Sequence, residues 1–206
     1  TLAPQLSYAI TFAAVEDGSG DVARIAQSMG SEGISIEETW DSMSMRATGS
    51  HDIVFANVIL DEADFIGRTN PKNSAEASPH GAAWFPLLLS AANLGIATAA
   101  RNYAIDFAKN RKPTGAPSPI SKIPYVREQV ARMESVLLTA RRALFSCAEE
   151  WEDFPNERNA LLPEVSITKV NSIESAITVT DLAMRIVGAV GLDRDRPLER
   201  YFRDVR

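Results

Sequence analysis

Apolar residues alternate along the start of the chain. In LSYAITFAAV, Leu6, Tyr8, Ile10, Phe12 and Ala14 fall on one face, which is the two-residue period of a strand. EDGSGD then reads as a turn. GISIEETW and HDIVFANVIL are two more short runs rich in Ile, Val and Phe, residues that suit a pleated, half-buried surface. GRTNPKNSAEASPHG, residues 67–81, carries two Pro and two Gly among polar residues and predicts a linker. After it the period changes. Val126, Val130, Met133, Leu137, Ala140, Leu144, Cys147 and Trp151 are spaced three and four apart, one face of a long helix. Pro124 stands near its first turn, where a missing N–H costs nothing. Val170, Ile173, Ile177, Thr180, Met184 and Val187 repeat the pattern, and Gly188 ends it. Residues 87–109 are apolar or small nearly all round, which predicts a central helix with close neighbours on several sides. RPLERYFRDVR begins a fourth helix with Pro197 in its first turn.

The predicted fold class is therefore α+β and multidomain. Residues 1–66 form a β-domain, 67–81 a linker and 82–206 an antiparallel four-helix bundle. The chain of 206 residues can bury a sizeable core, and 45% hydrophobic with 23% charged residues is ordinary for a globular protein. No uninterrupted run of eighteen apolar residues occurs, which argues against membrane insertion. Charge divides where the periodicity does. Residues 1–80 hold 12 acidic and 4 basic residues, a net of −8; residues 81–206 hold 15 and 17, a net of +2. The overall −6 argues against nucleic acid as a partner. A single cysteine excludes an internal disulfide framework, and the expected location is cytoplasmic. Cys147 lies on the apolar helix face and is read as core. Two His and one Cys argue against a zinc site, and no metal is predicted. The chain opens without Met, directly into a strand, and stops inside an amphipathic pattern; the expectation is a piece of a longer protein.

The densest chemistry lies in WDSMSMRATGSHDIVF, residues 40–55. Gly49 permits a turn with positive φ. Arg46 is able to pair with a carboxylate or phosphate, while Thr48 and Ser50 supply hydroxyls. The alternative is that Arg46, Thr48, Ser50 and Asp52 only fix the turn by local hydrogen bonds. His51 and Asp52 are sequence neighbours on opposite strand faces, so they form no ready dyad; His51 and His80 are read as solvent-facing or turn-satisfying. A second cluster, AKNRKPTGAPSPISK, ends a helix with Lys109, Arg111 and Lys112 before Pro113 and Gly115. Cations at a helix C-terminus are favoured by the dipole. A rigid guanidinium fork there also suits a phosphate.

Three segments carry a resemblance. TWDSMSMRATGSHDIVFANVIL is similar to the end of the middle β-domain of the acyl-CoA dehydrogenase family. NLGIATAARNYAIDFAKNRKPTG resembles that family's first C-terminal helix with its Arg-x-x-x-Gly signature. RIVGAVGLDRDRPLERYFRDVR resembles its Gly-x-x-Gly stretch and the ERYYRDAR motif. The resemblance implies part of a middle β-sandwich or barrel followed by a C-terminal bundle, with FAD as cofactor, or FMN as the alternative. It implies cofactor contacts from Arg111, Thr114, Gly188 and Gly191, with Arg111 on a flavin pyrophosphate, and substrate contacts from Arg46, Thr48 and Ser50. For Gly188 a plain helix cap is the competing reading. The catalytic base is unknown, because the Glu that the resemblance implies lies beyond Arg206.

The implied activity is desaturation of an acyl-CoA thioester at Cα–Cβ, with an electron acceptor as partner and a homodimer or homotetramer as assembly. Departures exist. Thr114 replaces the usual aromatic, and Pro124 and Arg185 stand where dehydrogenases commonly have Gln. Pro124, Arg185 and the spelling PLERYFRDVR lean toward a monooxygenase branch that uses reduced flavin from a flavin reductase and oxygen, on some other small-molecule substrate. A non-catalytic helical scaffold is the third reading. LERYFRD is read as structural, held by salt bridges at helical spacing.

Overall fold

The computed structural model describes residues 2–72 and 82–206. The chain divides into two compact units, Thr1–Ser78 and Pro79–Arg206. His80 and most of the predicted linker lie outside the described residues.

The first unit is a small sheet structure. Strands β1 (Tyr8–Ala14), β2 (Val22–Ser28) and β5 (Phe65–Thr69) form an antiparallel sheet in the order β1-β2-β5. β3 (Ile34–Glu37) and β4 (Asp52–Phe55) form a separate antiparallel pair. Two strands escaped the sequence pattern. β2 buries Ala23, Ile25 and Gln27, an alternation whose small and polar members give little hydropathy contrast. β5 includes Gly67, Arg68 and Thr69, so the expected start of the linker at residue 67 is corrected: Arg68 pairs with Ala23 and Thr69 with Val22. Ladder hydrogen bonds outweigh the loop-like composition there.

The β1–β2 turn is built by its own side chains. Gly18 and Gly20 take φ of +80° and +73°, a conformation that glycine adopts without strain. The Ser19 N–H donates to Asp17 Oδ1 at 2.9 Å and the Asp21 N–H to Ser19 Oγ at 3.1 Å. Arg68 reaches from β5 to both carboxylates. Gly33, before β3, has φ +87°; a Cβ there would stand 2.2 Å from the Ala56 carbonyl oxygen, which fixes glycine at that position.

Among the described residues, the second unit holds four α-helices, α1 (Trp84–Asn110), α2 (Pro124–Asp153), α3 (Arg158–Val187) and α4 (Pro197–Asp204). The face predicted for α2 is the buried one: Val126, Met133, Leu137, Ala140, Leu144, Cys147 and Trp151 are buried, and Val130 packs beside them. Along α1 the core face is largely alanine, with Ala97, Ala100 and Ala104 fully buried, and α1 packs on α3, whose Ala176 and Ala183 belong to the same buried core. Small side chains let these helix axes approach closely. The expectation of close neighbours on several sides holds for part of α1, while Ala91, Ala92 and Gly95 are exposed.

The α3 face is also rotated from expectation. Val170 is exposed and Ile173, Ile177 and Met184 are half-buried, whereas Thr168, Ser172, Ser175, Ala176, Val179 and Ala183 are buried with Thr180 and Val187. Close packing selects small side chains over large ones here. The Thr180 hydroxyl donates to the Ala176 carbonyl within its own helix at 3.0 Å, so it enters the core without an unpaired polar group. By length and composition α3 would also suit a membrane span, but half of its apolar window is buried inside the bundle. α4 is held as expected: Glu199 takes two bonds from Arg203, at 2.7 and 3.1 Å, and Arg206 pairs with Asp181 of α3.

Candidate functional site

In the first unit, the residues singled out as substrate contacts lie in a connection held by local hydrogen bonds. Arg46–Thr48 is a single 3-10 turn, flanked by Met45 and Gly49 with φ of 52° and 50°. The Thr48 hydroxyl donates to the Met45 carbonyl at 2.7 Å and lies 3.0 Å from the Ser50 hydroxyl. The Trp40 indole N–H reaches the same Met45 carbonyl at 3.1 Å. Arg46 and Asp41 are 3.9 Å apart with both side chains mostly exposed, a pair worth little in water. His51 takes the turn-satisfying role: its Nδ1 accepts from the Trp40 N–H at 3.1 Å, which places any single ring proton on Nε2. Asp52 donates its N–H to the Thr39 hydroxyl. The structure thus supports the local reading of Thr48 and Ser50, engages Asp52 through its backbone N–H, and leaves the Arg46 guanidinium projecting from the turn.

In the second unit, Arg111 follows the last residue of α1. Its N–H donates to the Phe107 carbonyl at 2.8 Å, and its own carbonyl accepts from the Ile120 N–H at 3.0 Å. The backbone is therefore pinned on both sides while the side chain stays exposed. Arg111 lines a hollow of about 320 Å³ with Tyr103, Asp106, Phe107, Asn110 and Arg196. Thr114 lies in the following turn, closed by the Ala116 N–H on the Pro113 carbonyl at 3.0 Å, with Gly115 at φ +80°.

The two glycines have separate local reasons. Gly188 is the C-cap of α3 at φ 69°, ψ −150°, a region essentially restricted to glycine. Gly191 is buried; a Cβ there would lie 2.9 Å from Met184 Sδ and 3.1 Å from Leu198 Cδ2, so its small size lets the segment after α3 pack against α4. Packing and capping thus account for both glycines in the geometry.

The hollow brings Arg111 to Arg196, a residue the sequence motifs did not flag. Arg196 precedes the Pro197 that starts α4, in a segment whose charges read as surface. A second, larger groove of about 390 Å³ runs between α1 and α2, lined by Leu94, Gly95, Leu137, Leu138 and Phe145, with Arg101 and Glu134 paired at 3.2 Å in its wall.

Residues 87–206, more than half of the chain, match the family described as "Acyl-CoA dehydrogenase, C-terminal domain". The chain belongs to the acyl-CoA dehydrogenase family. Among curated relatives, YdbM of Bacillus subtilis (strain 168) is 45% identical over 174 residues, covering 84% of this chain and 44% of that protein. The 3-(aryl)acrylate reductase of Clostridium sporogenes (strain ATCC 15579) is 30% identical over 175 residues, covering 85% of this chain and 44% of that protein. The chain thus spans less than half the length of these relatives. Among solved structures, TdsC of Paenibacillus sp. A11-2 in complex with FMN and indole superposes with a TM-score of 0.85 at 20% identity, covering all of this chain and 57% of that one. TdsC is a dibenzothiophene monooxygenase, and at this identity the likeness is one of fold. Members of the family are flavoenzymes.

Proposed function

We propose that this chain is the C-terminal part of an FAD-dependent dehydrogenase that desaturates an acyl-CoA thioester at Cα–Cβ. The observation that supports it is Arg111, an exposed guanidinium on a backbone pinned at both sides, within the family-matching segment. The residues fit a phosphate: the side chain is exposed and unpaired in the salt bridges among the described residues, at the mouth of a hollow of nucleotide size. Arg111 would hold the flavin's pyrophosphate, with Thr114 on the adjoining turn. The flavin, when bound, supplies acceptance of hydride from Cβ. The chain's part is to bind and orient that cofactor, and the Arg46 turn is the proposed contact for the substrate, with Thr48 and Ser50 holding its shape. Residues 1–66 would then be part of a middle β-sandwich.

A monooxygenase reaction with reduced flavin and oxygen is the second reading, favoured by Pro124 and Arg185 at positions where dehydrogenases commonly carry Gln. Activity assays of the full-length protein separate the two. Acyl-CoA oxidation coupled to an artificial electron acceptor is the expected result. Turnover only with reduced flavin and oxygen would replace the dehydrogenase reading, and purified protein without flavin absorbance, unable to take up added flavin, would remove both. We also propose a homodimer or homotetramer in which exposed Phe85, Leu88, Leu138, Phe145, Ile167 and Val170 are covered. Light scattering that finds a monomer at micromolar concentration refutes this.

A further inference from the structure

Two guanidiniums far apart in sequence line one hollow. Arg111 comes from the end of α1 and Arg196 from the start of α4. We propose that Arg196 is a second phosphate-holding residue, acting with Arg111 on the phosphate of the bound flavin nucleotide, and that Tyr103 is its positioning residue. This rests on the flavin-nucleotide reading of Arg111 above.

The backbone at Arg196 is as fixed as that at Arg111. Its N–H donates to the Asp193 carbonyl at 3.0 Å, its own φ and ψ are −113° and 148°, and Pro197 follows. Proline has no N–H and a locked φ, so α4 begins there and the preceding residue stays extended. The side chain is engaged without being used up. In the shared hollow the guanidinium donates to the Tyr103 hydroxyl oxygen, which helps raise the Arg196 pKa. The Asp193 carboxylate is 3.8 Å from Nε, with both side chains well exposed, which is a loose pair rather than a fork-to-fork one. A guanidinium has five N–H donors, so donors remain for a phosphate.

The rest of the lining points to a nucleotide rather than to a bare anion. Tyr103 and Phe107 contribute ring surface. Asn110 contributes a carboxamide, whose N–H donates to its own helix carbonyl at Asp106 at 2.9 Å. The Asp106 carboxylate repels a phosphate but accepts from a sugar hydroxyl. It opposes two cations, so the hollow keeps a positive balance. Arg196 also lines an adjoining depression with Arg194, Arg200, Asp195 and Glu199. Arg can clamp a phosphate with two parallel N–H bonds, which Lys cannot.

The test is equilibrium titration of flavin-stripped full-length protein with FAD, FMN, riboflavin and coenzyme A, each for wild type, Arg196→Gln, Arg196→Lys, Tyr103→Phe and Arg111→Ala, with melting measured alongside. For Arg196→Gln the expected loss is roughly tenfold in affinity for FAD or FMN, with riboflavin affinity and melting temperature unchanged. Arg196→Lys recovers little. Tyr103→Phe gives a smaller loss with the same nucleotide selectivity, whereas a merely structural tyrosine would lower riboflavin binding and melting temperature too. Wild-type FAD affinity in Arg196→Gln beside a loss in Arg111→Ala overturns the inference and leaves the flavin reading standing. Unchanged affinity in both overturns the two together. A loss confined to coenzyme A overturns the assignment to flavin.

Discussion

The helical unit and the sheet unit bury their large apolar side chains to very different extents. In the bundle, Met133, Trp151, Val179 and Leu198 are almost wholly buried, and alanines line the contact between α1 and α3. In the sheet, the buried residues include Ala3, Ala9, Ala23, Ile25 and Gln27, while Tyr8, Ile10 and Phe12 of β1 are exposed. The alternation in β1 is the one its sequence predicts, yet the face with the large side chains is the open one. Four helices can close around a shared interior, because each turns a stripe inward. A sheet has two faces, and each needs a layer of its own.

The largest expected effect tests that contrast directly. Met133→Ala removes a fully buried side chain and should cost about 2–5 kcal/mol, as large-to-small core changes do. Phe12→Ala removes a bigger side chain that is 72% exposed, and should cost less than about 0.5 kcal/mol in this chain. Denaturant unfolding of both variants gives the comparison. If the two losses are equal, the distinction between a closed and an open core is wrong. A large Phe12→Ala loss seen only in the full-length protein would show that a further layer covers β1 there.

Gly33→Ala comes next. It forces an alanine into φ +87° and puts its Cβ against the Ala56 carbonyl oxygen. The conformational cost alone is about 1–3 kcal/mol, and the clash adds to it. The β3–β4 pair should lose protection in amide exchange while the bundle keeps its own. Equal loss of protection in both units would mean that they unfold as one.

How legible each unit was follows from the same contrast. Helix faces repeat over many turns, so one small residue does not hide the pattern; α2 was readable in nearly every buried position. α3 was not, because its core face is built from Thr168, Ser172, Ser175 and Ala176, which hydropathy scores as neutral or polar. Strands are too short to average out such exceptions, and Ala and Gln concealed β2. Among the site residues, Arg111 was legible because a helix end, a Pro and a Gly mark it locally. Arg196 became visible only through the packing of α4 against α1, which no local pattern encodes.

Within the sheet unit a smaller effect comes from the β3–β4 ladder. Glu37 and Asp52 stand directly opposite each other, and like charges in that relation are destabilising. Glu37→Lys should stabilise the pair by about 0.2–1 kcal/mol, less at high salt. A variant that melts at or below the wild-type temperature in low salt would mean that solvent already removes the repulsion.

The smallest effect concerns the clip at the β1–β2 turn, and it carries a pH signature. The Ser19 hydroxyl and the Arg68 guanidinium hold the Asp17 carboxyl well below the usual carboxylate range, and Arg68 with Asn70 lowers that of Asp21. A carboxylate whose pKa is depressed on folding contributes stability that is present above its unfolded value, near 3.8 for Asp. That contribution is lost as pH falls from there toward the folded value. These groups lie at the surface, with Asp21 partly covered, so the contribution is modest and screened by salt. Arg68→Gln removes the cation and keeps a hydrogen-bonding side chain. Amide exchange of Gly18, Ser19 and Gly20 should be faster in the variant than in wild type near neutral pH, and the difference should begin to shrink only as pH drops below about 4, narrowing further as pH falls toward the folded Asp17 value. A difference that shows no narrowing at all as pH is taken down through the acid range toward the folded Asp17 value would mean that Arg68 holds the turn by packing of its methylene stem. The clip would then be a strand contact, and the two acidic residues would serve only their own turn.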